Sequence, residues 1–128
     1  TGGSVALFTV AGGRVLVTAL VGEVTAAAVG ACTFKFQSNP TVGTTTDLCG
    51  TTDINAMEIR TLLGIDGVPA TALLTSSSGG LRTMPNGGKG IIVPAGAIES
   101  NTGADVVGSV KFDLWYFPLD NGASVAAA

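Results

Sequence analysis

From Val110 to Phe117 the chain alternates strictly: Val110, Phe112, Leu114 and Tyr116 fall on one side, and Lys111, Asp113, Trp115 and Phe117 on the other. A period of two belongs to a β-strand and to no helix. The run predicts a strand over Val106 to Phe117, ended by Pro118, which cannot donate to a ladder. Its first set of side chains is assigned to the core. The single Trp of the chain then sits beside two charges, off the core face.

Other runs carry the same signature. Ser4 to Val10 reads as a strand, followed by Gly12-Gly13 as a hairpin signal. Arg14 to Val24 is the longest candidate. Val15, Val17, Ala19 and Val21 fall on one face, and Leu16, Thr18 and Leu20 on the other. Both faces are largely apolar, so this strand is expected to be central or covered by a neighbouring subunit. Cys32 to Gln37 alternates, with Phe34 and Phe36 inward. Ala70 to Thr75 and Gly90 to Val93 complete the set, with a Ser76 to Gly80 loop between them. Asp53 to Leu63 fits a helix capped by Asp53 and also fits a strand; its β surroundings favour the strand. The tail from Ala123 to Ala128 is expected to be loose unless a partner holds it. Turn residues recur about every ten positions, as in sandwiches and barrels. The expectation is one all-β domain over residues 1–128, a single antiparallel, jelly-roll-like β-sandwich of about eight strands.

Composition narrows function by exclusion. Charged residues make up 12% of the 128 positions, about half the usual share. The mean hydropathy is +0.53. Few charges leave apolar surface that a partner is expected to cover. Six Lys and Arg against nine Asp and Glu build no basic footprint, so no nucleic-acid partner is expected. No run is apolar enough for a spanning helix, and Thr1 to Ala11 lacks the basic start of a signal peptide, so no membrane partner is expected either.

Chemistry finds little to work with. The chain has no His, which removes the commonest general base and imidazole ligand. Lys35, Lys89 and Lys111 are the remaining bases for a Ser or Cys nucleophile, without an S-x-x-K spacing. Gly87-Gly88-Lys89-Gly90 resembles the end of a phosphate loop, but Thr83 and Gly90 stand where the template needs Gly and Ser or Thr. It reads as a glycine hairpin. Asp47 with Asp53, and Glu99 with Asp105, are the carboxylate pairs a glycosidase would need. Asp53-Asn55 and Asp120-Asn121 read as turns rather than calcium ligands. Asn39-Pro40-Thr41 has the Pro that forbids glycosylation. Cys32 and Cys49 form either a disulfide or a pair of buried small hydrophobes, too few for zinc. No enzyme, cofactor or metal is expected. Trp115 and Phe117, with Leu16 and Leu20, are the candidate interface residues.

The C-terminal third carries a resemblance. Ile91-Ile92-Val93-Pro94-Ala95-Gly96-Ala97-Ile98, then the run from Gly108 through Trp115-Tyr116-Phe117-Pro118 to Ala123, resembles the end of small proteins encoded among the structural genes of tailed bacteriophages. Phe8 to Val15 and Leu20-Val21-Gly22 look like their opening strands. The resemblance implies a virion component without catalytic residues. It does not say which; the few charges and hidden apolar surface suit a capsid decoration or cement protein that binds the major capsid protein on the head surface as a homo-oligomer, in many such proteins a trimer. A tail, fibre or other minor virion module, or a module binding host-surface glycan, is the alternative.

Overall fold

The computed structural model describes residues 2–77, 79–81, 90–105 and 107–128. The predicted glycine hairpin at Gly87-Gly88-Lys89 and part of the Ser76 to Gly80 loop lie outside the described residues. Among the described residues there are eleven strands and no helix: β1 (Gly3–Ala11), β2 (Val15–Val29), β3 (Thr33–Pro40), β4 (Thr46–Asp47), β5 (Thr52–Asp53), β6 (Leu62–Gly64), β7 (Leu74–Ser76), β8 (Ile91–Val93), β9 (Gly96–Thr102), β10 (Val107–Pro118) and β11 (Ser124–Ala127). Among the described residues no helix is long and apolar enough to cross a membrane.

The strands form two antiparallel sheets packed face to face, a β-sandwich. The first has the order β11-β1-β9-β3-β4, with β5 also on β3. The second has the order β10-β2-β6-β7, with β8 also on β2. The chain crosses between sheets at most connections, as a jelly-roll-like sandwich does.

The crossings explain one correction. Gly12-Gly13 does not close a hairpin, because β1 pairs with β9 and β11 while β2 pairs in the other sheet. Both glycines take positive φ, 78° and 135°, which lets the chain turn from one sheet to the next. Asp120 fixes this corner. Its carboxylate accepts from the Arg14 amide at 2.7 Å and from the guanidinium at 3.0 and 3.1 Å.

Three further expectations change. Asp53 to Leu63 is neither one strand nor a helix: β5 ends at Asp53, turns follow, and β6 begins at Leu62. Asp53 caps backbone rather than a helix, accepting from the amides of Cys32 and Asn55. Ala70 to Thr75 shrinks to the short β7. The tail is ordered as β11, which pairs with β1 from Ala11↔Ser124 to Phe8↔Ala127.

The core lies between the sheets. Phe34 and Phe36 come from the first sheet and Phe112 from the second, with ring centroids 5.1 to 6.0 Å apart. Gly22 stands opposite Phe112, where a Cβ would meet its ring at 3.1 Å, so the glycine makes room for it. Val15, Val17, Leu20, Leu63 and Val93 of the second sheet pack on Val10, Phe36 and Ile98 of the first. Each such side chain contributes about 1.5–3 kcal/mol by leaving water. Cys32 and Cys49 are buried free thiols within this core. The Cys32 thiol donates to the Ala104 carbonyl, and the Cys49 sulfur accepts from the Phe36 amide. Burial pushes the Cys49 thiol above its ordinary value.

A candidate docking face on the second sheet

Strand β10 is regular from end to end, and every slip in its pairing with β2 places the extra residue on β2. Its alternation therefore survives intact. Val110, Phe112, Leu114 and Tyr116 pack against the core, while Trp115 and Phe117 remain 57% and 63% exposed. Aromatic residues suit strands on either face. The sequence pattern alone explains why these two share the outer one.

The slip between Trp115 and Tyr116 decides the rest of the face. Trp115 pairs with Ala19 and Tyr116 with Val17, so Thr18 is an extra residue. Its hydroxyl donates to the Trp115 carbonyl at 3.3 Å. A β-bulge of this kind resets which face the following side chains occupy. Val15 and Val17 point inward before it; Leu20, Gly22 and Val24 point inward after it. Leu16 stays on the outer face as expected. Leu20 does not: it is 0% exposed and belongs to the core. The expectation that Leu16 and Leu20 share a face failed because strict alternation has no place for a bulge.

The structure adds a residue that the sequence did not single out. β8 pairs with the far side of β2 and sets Ile92 opposite Leu16, which is itself opposite Phe117. Phe117, Leu16 and Ile92 thus form one cross-strand row, with Ile92 57% exposed. Trp115 and Ala19 form the next rung. Leu119, 42% exposed, continues past the strand end. Beyond Ile92 the surface dips into a groove of about 730 Å³ lined by Ile91, Ile92, Pro94, Pro69, Leu48 and Thr45. Nothing in the local sequence announces Ile92, since its place depends on a pairing between residues some 75 positions apart in the chain, Leu16 and Ile92.

Other candidates disperse. Asp47 and Asp53 pair with Gln37 and Thr33, four positions apart on β3. That separates their backbones by roughly 13 Å along the strand, wider than the carboxylate spacings of glycosidases. Asp47 is bound to Lys35 at 2.9 Å. The Gln37 amide and then Lys35 hold its carboxyl below the ordinary value. Glu99 is buried and accepts from the Asn39 amide at 2.9 Å, while Asp105 is exposed beyond the end of β9. Lys111 lies 3.6 Å from Glu23. Among the described residues no group of three or more His, Cys, Asp or Glu side chains gathers to hold a metal ion. An apolar cavity of about 160 Å³ opens between the sheets, lined by Val24, Phe34, Ile54, Met57, Leu63 and Phe112. That is the scale of one benzene ring, below the usual size of a small-molecule pocket.

Comparison of the chain with protein-family models, with curated proteins and with solved structures finds no match. The functional reading therefore stands on the geometry of the outer face and on the sequence resemblance.

Proposed function

We propose that this chain is a non-enzymatic structural component of a tailed-phage particle, a decoration protein that docks on the major capsid protein and stabilises the head. The observation that carries the proposal is the in-register outer row of Phe117, Leu16 and Ile92, with Trp115 on the next rung. Trp115 and Phe117 on β10 and Ile92 on β8 are left more than half exposed, with the half-buried Leu16 of β2 between them. Grouped exposure of this kind marks an interaction surface, whereas apolar residues scattered singly are ordinary. Aromatic anchors of this type supply most of the energy at protein interfaces. The low share of charged residues supports the same reading. So does the resemblance of residues 91–98 and 108–123 to tailed-phage structural proteins, which implies a virion component.

The test is quantitative mass spectrometry of the purified particle, followed by rebinding to stripped shells. A copy number near that of the major shell protein, or a large simple fraction of it, is expected, together with shells that break at lower temperature when the chain is removed. A few copies per particle would place it in a tail or fibre instead. Absence from the particle would overturn the virion reading.

A further inference from the structure

The second sheet ends on an edge of unusual length. Among the described residues β10 pairs with β2 alone, so one side of its backbone is unpaired. β10 has 12 residues, whereas the other outermost strands β11, β7 and β4 have 4, 3 and 2. Short edges are one way proteins avoid unwanted pairing; bulges, prolines and charges are others. β10 uses few of these. Its own backbone carries no bulge, and its single proline is the last residue, Pro118. Its charges are Lys111 and Asp113, of opposite sign and on the same outer face.

We infer that β10 pairs antiparallel with β10 of a second copy, in the register that sets Phe112 opposite Phe112. The charges select this register. It places Lys111 opposite the second copy's Asp113 and Asp113 opposite the second copy's Lys111. Sliding by two residues one way sets Lys111 against Lys111; sliding the other way sets Asp113 against Asp113. Like charges directly opposite are destabilising, and opposite charges are favourable. The register also continues the alternation, with Val110 facing the second copy's Leu114 on the core side. Asp113 makes no ion pair within its own chain among the described residues, and Lys111 makes only the 3.6 Å contact with Glu23. Both are available.

The contact is two-fold, hence closed, and yields a dimer rather than a fibre. It joins the two second sheets into one continuous sheet. Directly opposed residues point to the same face, so both docking faces look the same way. Each Trp115 falls opposite the other copy's Ser109, which sets the two Trp115 about 20 Å apart along the strands. A dimer would thus present two apolar faces to one surface and gain avidity. The pairing itself does not rest on the virion reading, because it concerns the isolated chain.

Sedimentation of the purified protein tests it. The expected mass is twice 12.6 kDa. Hydrogen exchange should show protected amides on both edges of β10. Asp113→Lys sets lysine opposite lysine and should weaken self-association by about tenfold or more. Lys111→Asp should do the same. Mixing the two variants restores opposite charges at both positions, so a mixed dimer should form from two weakened parents. Should Lys111→Asp fail to fold, Asp113→Lys together with exchange on the unmodified chain decides the matter. A monomer at the highest soluble concentration overturns the inference. So does an oligomer, trimer included, that ignores both charge reversals or leaves one edge of β10 unprotected.

Discussion

The two outer faces of the sandwich are built on the same scaffold and end in opposite states. On the first sheet, Asn101 donates to Ser4 at 2.9 Å, Gln37 donates to Asp47 at 2.9 Å, and Lys35 closes on the same carboxylate. Asn39 donates to Glu99 while accepting from Thr45 at 3.1 Å. These polar side chains satisfy one another; most of them meet water, and the buried Glu99 is held by Asn39. On the second sheet the equivalent outward positions hold Phe117, Leu16, Ile92 and Trp115. An antiparallel sheet ordinarily keeps one face in the core and one in water. The first sheet follows that rule; the second departs from it over one contiguous row. Stability alone does not account for the departure, since exposed rings leave unused about 25 cal/mol for each Å² they could bury. The difference is what the proposed docking role rests on.

The sharpest way to break this comparison is through the two leucines that the bulge separates. Leu20→Ala should cost about 2–5 kcal/mol, because it opens a cavity in a closed core. Leu16→Ala, at a half-buried position on the outer face, should cost clearly less and weaken shell docking instead. Chemical denaturation of both variants measures this. Equal costs would mean that Thr18 is not a bulge and that the outer row is drawn wrongly. Next in size is the docking contribution of the aromatic pair. Trp115→Ala with Phe117→Ala should reduce affinity for shells by about thirtyfold or more, the loss expected of interface anchors. The matched pair on the first sheet, Gln37→Ala with Asn101→Ala, should leave affinity within about twofold. If the two pairs act alike on docking, the faces are not functionally distinct.

How much of this could be read in the sequence depends on whether each signal was local. The sides of β10 were legible because its alternation is unbroken and its bulged partner absorbs every irregularity. Phe34 and Phe36 were legible for the same reason. Leu20 was misplaced because a bulge adds one residue without leaving a mark in the hydrophobic pattern. β9 went unforeseen although it is central in the first sheet. Its Gly96–Thr102 segment is largely polar, and its outward Glu99 and Asn101 are accommodated by side chains on β1 and β3. β11 consists of small residues whose order comes from pairing with β1. Ile92 joined the docking row through the same kind of distant pairing. Period-two patterns reveal which way a strand faces; they do not reveal which strand lies beside it.

The polar face offers a smaller test. Asp47→Asn removes a half-exposed ion pair and should cost under about 1 kcal/mol. The Asp47 carboxyl is held below its ordinary value of 3.8, chiefly by the Gln37 amide and then by Lys35. A depressed carboxylate stabilises the fold fully above its unfolded value, and that stability is lost as pH falls through the folded one. Thermal melts of the unmodified chain should therefore decline below pH 3.8 more steeply than those of Asp47→Asn. Coincident acid profiles would show that the first-sheet network does not hold Asp47.

The smallest effect belongs to the corner that joins the faces. Asp120 binds the Arg14 amide and guanidinium, and the Leu119 amide donates to the Arg14 carbonyl at 3.0 Å. Arg14, through its side chain first and its backbone second, brings the Asp120 carboxyl from 3.8 down to about 2. The Asp120 side chain is 38% exposed, so its influence is local rather than global. The hold on the corner should be complete above pH 3.8 and fade as pH falls towards about 2. Titration of Asp120 by carboxyl-detected NMR should follow that window, and Arg14→Gln should return the midpoint towards 3.8. An unmodified Asp120 that already titrates near 3.8 would mean that the corner is not tied. Leu119 and the end of the apolar row would then lose the anchor that fixes their position beside Phe117, and the docking face would end at β10 itself.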